Sequence, residues 1–458
     1  MPSRRNNCDL LARVNFPLYT LQMLTGRHIL VGGGGGSSKT GVANGFEIFE
    51  LSHNGSQFIA EEVTRHETGP SVVMNCTTYN DQKRIWIAAG QESHCQLYNV
   101  TSKVVTMKNG EIIKGTNSTS KEGIRHRKNM DKMEETIVLE ERIEEIKDDN
   151  SNIKSKKLQL IVKPADSVQT DFSEEEPLQR IVRISLNGKF MATGGMDGHI
   201  RLWKFPQLHK LHDLNAHTKE IDDIDFSPGS TLIASIAKDG KAFIWNVSNG
   251  SKFKDLTWSP PNGLKYMYKR CRFRKLEENK SKAQIFILSN AVVGKNISFL
   301  QLWDVESGSI VKAVPYKETL SALSVSDDGK FVAVGTMFSG SVDIYIAFSL
   351  RRALHVPGAH SMFVTGLEFL PTKLESPTIA SNTETAVISI SVDNKICIHS
   401  IPFRRKYLNN ISIYFCIVLT IFMVENVSIT DTLPFWFVII LIILSICGAF
   451  IFCSYLGI

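Results

Sequence analysis

The stretch VGGGGGSSKTG, from Val31 to Gly41, comes within one residue of a phosphate-binding loop. Gly33 is followed five positions on by Ser38, then Lys39 and Thr40, where such a loop carries Gly, Lys and Thr. In that loop backbone amides cradle phosphates, the lysine reaches the terminal phosphates and the hydroxyl holds Mg²⁺. The chemistry also needs a helix, because its N-terminus faces the anion. Here the chain runs on as GVANGFEIFEL, whose tail alternates like a strand, and no strand ending in a Mg²⁺-binding Asp stands out downstream. Nucleotide binding by this chain alone is therefore not expected. Bare glycine backbone can do other chemistry: carbonyls converging in a tight loop coordinate a hard cation, and amides approach an anion closely. The segment from Gly32 to Gly45 is long for a connection between strands, and long loops in compact folds are commonly functional. The plain alternative is a flexible link between two strands.

A second set of residues with chemical potential is His217, Ser235, Asp239 and Trp245. Thr193, Asp197 and Trp203 repeat most of it, as do His360, Ser389 and Asp393 with His399 in the Trp position. A His beside an Asp suggests acid/base work. Residues that recur in register with a repeat are more simply read as its fasteners.

The repeat itself sets the architecture that must carry these residues. GKFMATGGMDGHIRLW, from Gly188, and STLIASIAKDGKAFIW, from Ser230, superpose without a gap, and Trp203 to Trp245 is one period of a four-stranded propeller blade. Degenerate copies end near residues 305, 347 and 401, and two irregular ones upstream near 51 and 100, each alternating apolar and polar residues before a turn. Together they predict an all-β, seven-bladed WD40-type β-propeller, a closed ring that removes exposed sheet edges.

Between the second and third copies, about 104–156, the strand pattern lapses into lysine, glutamate and asparagine, with KLQLIVK (157–163) supplying strand again. Such composition cannot bury enough surface to order itself, so a solvated charged insert is expected. The net charge of +6 over 458 residues is modest, and no basic stripe or helix-turn-helix marks a nucleic-acid binder. Eight scattered cysteines without a CxxC pair suit reduced thiols in a cytosolic body. The amino end lacks an apolar h-region, so no signal peptide is expected. Residues 1–403 form the expected cytosolic propeller and 404–458 a membrane anchor: Arg404, Arg405 and Lys406 precede apolar runs at 411–424 and 435–458. The second run is long enough to span alone, and the basic triplet marks its side as cytoplasmic.

With these features in hand, the chain resembles the endoplasmic-reticulum exchange factors for the SAR-type small GTPase that starts the coat protein II coat, the prolactin regulatory element-binding protein family. The residues that carry the resemblance are the glycine run Gly32 to Gly36, the following SKTGVANG, the AHSMFVTGLEFLP stretch of the last blade, and the basic residues leading into an apolar tail. The resemblance spans roughly residues 10 to 424. It implies that the first-blade loop binds a potassium ion through ligands within Gly32, Gly33, Gly34, Gly35, Gly36, Thr40 and Asn44. It further implies that Asn44 and Pro70 matter for exchange and that Lys39, Thr40, Gly41 and Val42 lie where the GTPase docks. The expected partners are that GTPase and the endoplasmic-reticulum membrane, with the body facing the cytosol. Two other classes stay open from the residues alone: a propeller scaffold without exchange activity, and a DNA-binding regulator.

Overall fold

The computed structural model describes residues 8–36, 41–81, 83–108, 111–112, 154–260, 263–276, 283–292, 297–372, 379 and 383–403, with side chains described except at 103–112 and 154–159. Among them the regular structure is β-strand alone. β1 (Cys8–Arg13) precedes the first blade, β2 (Leu18–Met23), β3 (His28–Gly33), β4 (Gly45–His53) and β5 (Phe58–Glu67). The second blade is β6 (Asn75–Asn80), β7 (Ile85–Gln91), β8 (His94–Lys108) and β10 (Lys154–Gln169), with the short β9 (Glu111–Ile112) on β8. The third holds β11 (Gln179–Ile184), β12 (Phe190–Gly195), β13 (His199–Lys204) and β14 (His209–Asn215), the fourth β15 (Ile221–Phe226), β16 (Leu232–Ala237), β17 (Ala242–Asn246) and β18 (Lys252–Asp255). Next come β19 (Tyr266–Arg274), β20 (Gln284–Ala291), β21 (Ser298–Asp304) and β22 (Ser309–Tyr316), then β23 (Leu320–Val325), β24 (Phe331–Thr336), β25 (Val342–Ile346) and β26 (Arg351–Val356). The last blade is β27 (Val364–Phe369), β28 (Thr383–Ser391) and β29 (Lys395–Pro402), completed by β1 from the amino end.

That makes seven sheets, as the repeat predicted, with the ring latched by β1 pairing along β29. Each sheet is apolar on both faces, so each must bury both against neighbours. Buried clusters fill every seam: Leu18, Ile29 and Val31 meet Ile388 and Ile398 across the closing seam, and Leu30, Phe46 and Ile87 join the first two blades. The hydroxyl of Thr365 donates to Leu18 O (2.8 Å), tying the last blade to the first.

The recurring His, Ser, Asp and Trp residues are fasteners. Trp245 Nε1–H donates to Ser235 Oγ (2.9 Å), which lies 2.9 Å from His217 Nε2, and His217 Nδ1 lies 3.1 Å from Asp239 Oδ2. Burial holds the His217 imidazole below its ordinary pKa, favouring the neutral form with its proton toward Asp239. The last blade repeats this, with His399 Nε2 reaching Ser389 Oγ (2.8 Å) in place of a tryptophan. In the third, Trp203 donates to Thr193 Oγ1 (2.9 Å), while Arg201 takes up Asp197 (2.7 Å).

The charged insert differs in extent from the sequence expectation. β8 continues to Lys108 and β10 starts at Lys154, the two pairing along their length, so strand reaches past both expected borders. The backbone ladder between β8 and β10 carries the lysine-rich stretch as strand, which its composition alone did not suggest. The stretch 113–153 and residues 404–458, including both apolar runs, lie outside the described residues, among which no helix is long and apolar enough to cross a membrane.

Strand alternation sorts the connections onto two faces. Links from second to third strand, and from fourth strand to the next blade, share one face, here called upper. Links from first to second and third to fourth strand emerge on the lower face, where β29 also ends.

Candidate functional site

Strands β3 and β4 run in register to the pair Gly33 and Gly45, and the glycine-rich loop rises between them on the upper face. Gly32 and Gly33 belong to strand and not to the loop: they are the last residues of β3, flanked by β2 and β4. Their lack of side chains lets neighbours approach, since a Cβ on Gly33 would lie 1.9 Å from Pro17 O. The loop proper begins at Gly34, whose φ of +143° favours glycine and whose N–H donates to Pro17 O (3.2 Å). Lys39 and Thr40 lie outside the described residues.

Asn44 organises what is described of this loop. Only 5% exposed, its side-chain nitrogen donates to the carbonyls of Gly36 (3.1 Å), Gly69 (3.0 Å) and Pro70 (3.0 Å), while its oxygen accepts the Gly36 N–H (2.9 Å). The backbone of Asn44 joins in by accepting the Thr68 N–H (3.0 Å). The outgoing limb of the loop is thereby clasped to its incoming limb and to the turn between β5 and β6. Pro70 sits at the exposed tip of that turn, which Thr68 Oγ1 closes by donating to Ser71 O (2.8 Å).

Behind the loop lies a cleft of about 240 Å³, lined by Phe16 and Asn15, by the chain from Gly41 to Phe46, and by Arg65, His66 and Glu67. Gly41 is exposed at its mouth. Val42, expected at the partner interface, is half-buried and packs on the cluster of the closing seam, so it also seats the loop. Beneath, the buried Glu47 meets Arg65 Nη2 at 2.6 Å; burial raises the Glu47 pKa more than the guanidinium lowers it. The His66 ring packs against Phe46 and, edge-on, Tyr98, and burial holds its pKa below the ordinary value.

Two kinds of chemistry are open to this arrangement. The described residues contain no group of three His, Cys, Asp or Glu placed to hold a metal. Backbone oxygens are available instead: Gly36, Gly69 and Pro70 aim three carbonyls at one amide nitrogen that has two hydrogens, so acceptor capacity remains. Neutral, oxygen-only donors of this kind suit a hard monovalent cation better than a transition metal. A phosphate-binding reading fails on topology, because the glycines join strand to strand.

The WD domain, G-beta repeat family matches residues 179–204 and 208–246, within the third and fourth blades. The guanine nucleotide-exchange factor SEC12 of Mus musculus is 33% identical over 415 residues, covering 88% of this chain and 93% of its own length, and that of Rattus norvegicus is 32% identical over the same span. This chain belongs to the SEC12 family of guanine nucleotide-exchange factors. SEC12-like protein 1 of Arabidopsis thaliana is a more distant relative, 25% identical over 267 residues, 57% of this chain and 61% of its own. An exchange factor of the SEC12 family makes and breaks no covalent bond, which accords with His/Asp pairs spent on fastening blades.

The structure brings Asn44, Gly34, Gly36 and Pro70 together. Sequence reasoning missed the Gly69 and Pro17 carbonyls and the Glu47–Arg65 pair. The carbonyls left no signal, since any residue supplies one; the pair could have been found from register, as Glu47 and Arg65 face each other across β4 and β5.

Proposed function

We propose that this chain promotes GDP release and GTP loading on a SAR-type small GTPase at the endoplasmic-reticulum membrane, starting coat protein II assembly and ER-to-Golgi transport. The glycine-rich loop and the Pro70 turn form the acting element, the body faces the cytosol, and residues 404–458 hold it to the membrane. The observation that carries the reading is the Asn44 clasp: one buried amide joins both limbs of the loop to the neighbouring turn. The ring thus holds the base of a glycine-rich loop on the face opposite the one where β29 ends.

A small GTPase holds GDP through phosphates and Mg²⁺. An exchange factor speeds release by binding the nucleotide-free form better than the GDP form, and because that coupling is reciprocal, incoming nucleotide expels the factor. Each tenfold in rate is about 1.4 kcal/mol, so a thousandfold acceleration asks for roughly 4 kcal/mol of differential contact. A preordered loop supplies this at little entropic cost. Asn44 is the positioning residue, Gly41 stands exposed where the partner would dock, and Pro70 fixes the acceptor turn. Potassium would be held by carbonyls of Gly36 and its loop neighbours with those of Gly69 and Pro70, and would supply a fixed positive charge that stiffens the finger.

The test is GDP release from a SAR-type GTPase by residues 1–403, in K⁺ and with K⁺ replaced by a large organic cation. Acceleration that falls when K⁺ is withdrawn is the expected result. No acceleration in either medium refutes the exchange reading for this GTPase; equal acceleration in both refutes the cation.

A further inference from the structure

We propose that the lower face, at the seam between the second and third blades, rests on an anionic lipid bilayer. The inference builds on the tail being a membrane anchor. β29 delivers the chain to the lower face at Pro402–Phe403, and the first apolar run begins at Ile411. Those few residues reach about 28 Å at full extension. A tail entering a bilayer so soon brings the lower face to the lipid, and Phe403 is 53% exposed at the root of that tether.

The seam itself has the composition of a membrane-surface contact. Three lower-face turns converge there: the one after β6, of which 81, 83 and 84 are described, 185–189 after β11 and 205–208 after β13. Their meeting point is aromatic, with Phe205 edge-on to Tyr79 (5.9 Å) and Trp86 (6.1 Å). Around it Lys83, Arg84, Lys189 and Lys204 are exposed, and none forms an ion pair with a described residue. The nearby exposed Asp81 is the acidic side chain of the same turn, its Oδ1 accepting the N–H groups of Lys83 (2.9 Å) and Arg84 (2.5 Å), and four cations outweigh it. Leu186 stands at the tip of the middle turn, 69% exposed, on a turn seated against Tyr79. Unpaired cations around a projecting leucine, backed by Tyr and Trp, bind where apolar insertion and attraction to acidic headgroups act together. With tail and patch on the same face, the ring lies flat and the loop points to the cytosol.

Flotation of residues 1–403 with vesicles tests this, since the ring closes on itself between Cys8 and Pro402. Binding to vesicles containing phosphatidylserine, and little to phosphatidylcholine alone, is expected. Each cation neutralised should lower partitioning about fivefold, corresponding to about 1 kcal/mol, so the combined Lys83→Ala, Arg84→Ala, Lys189→Ala and Lys204→Ala variant should lose over a hundredfold. Leu186→Ser should weaken binding with all charges in place. Undiminished exchange on soluble GTPase would show that the variants are folded. Absence of vesicle binding, binding indifferent to these substitutions, or equal retention on heparin would overturn the assignment. Carbonate extraction of the full chain reports on the anchor separately: release would sink the anchor reading, whereas retention with a non-binding body would sink only the patch.

Discussion

Replacing Asn44 by alanine removes one side chain from the base of the loop and leaves the ring's seams untouched. The side chain accepts one hydrogen bond, and its two N–H hydrogens are shared among three carbonyls. A typical intramolecular hydrogen bond contributes a net 0.5 to 1.5 kcal/mol, and because water can reach part of this loop some of that is recovered. A loss of about 2 to 4 kcal/mol in the preference for the clasped loop follows. If only the clasped loop is competent, kcat/KM for exchange falls by the same factor, roughly 30- to 1000-fold. The ring should keep its strand spectrum and melt within a few degrees of the wild type, since no seam residue changes. Stopped-flow release of a fluorescent GDP analogue reads the rate, and circular dichroism the fold. Pro70→Ala is the paired control: it keeps the accepting carbonyl and frees only the turn backbone, worth about 0.4 to 1 kcal/mol, so its loss should stay within about fivefold. A folded Asn44→Ala protein exchanging within twofold of wild type would refute the clasp. If Pro70→Ala fell as far as Asn44→Ala, the proline ring itself would be the acting group.

Gly34→Ala should reproduce the exchange defect, because its Cβ would sit 2.1 Å from Asn44 Oδ1 on a backbone with φ +143°; wild-type GDP release in that variant would contradict the packing. Ser235→Ala should do the opposite, destabilising the ring by about 2 to 3 kcal/mol through the stranded Trp245 and His217 groups while exchange at low temperature stays normal, as thermal melting and the same assay would report. The third concerns Glu368 on β27, where burial pushes the carboxyl up to about 7 against the lowering effect of Arg183. Its folded pKa exceeds its unfolded one, so the folded state binds the extra proton between about pH 4.5 and 7 and stability falls as pH rises through that window. Glu368→Gln should therefore stabilise more at pH 8 than at pH 5. Glu368 is only half-buried, so solvent screening should leave a difference of about 1 to 2 kcal/mol rather than the full shift; a pH-independent difference in melting temperature would rule this out.

The ring was legible in the sequence because repeats advertise themselves: Trp203 and Trp245 share a period, and His217, Ser235 and Asp239 recur as His360, Ser389 and Asp393. The closing strand was not, since CDLLAR pairs with Lys395 to His399 at the far end of the chain and local pattern does not encode a partner so remote. The borders of the charged insert escaped for a related reason. A lysine-rich segment such as KSK reads as solvated, yet β8 offers its backbone a continuous ladder. In the loop the residue types pointed to the glycines and the family resemblance to Asn44, but neither told that Gly32 and Gly33 are strand; that depended on where Pro17 lies.

The division of labour between ring and loop explains how a catalyst of nucleotide release can leave its His, Ser and Asp sets to fastening the blades. In a covalent enzyme the pKa of a side chain must match its task, and buried His/Asp pairs are the usual means. Here the buried pairs His217–Asp239 and His360–Asp393 face inward between strands, where the fixed imidazole stiffens the blade. What remains for function is geometry. A backbone finger contributes little by its own contacts unless it is already ordered, because each residue immobilised on binding costs about 1 to 2 kcal/mol. Ordering it through one buried amide is economical, since a single side chain fixes both limbs and the adjoining turn. It also concentrates the risk: a side chain at Gly34 would collide with Asn44 and the clasp depends on one amide, so on the proposed reading the rate of exchange would hang on a few atoms.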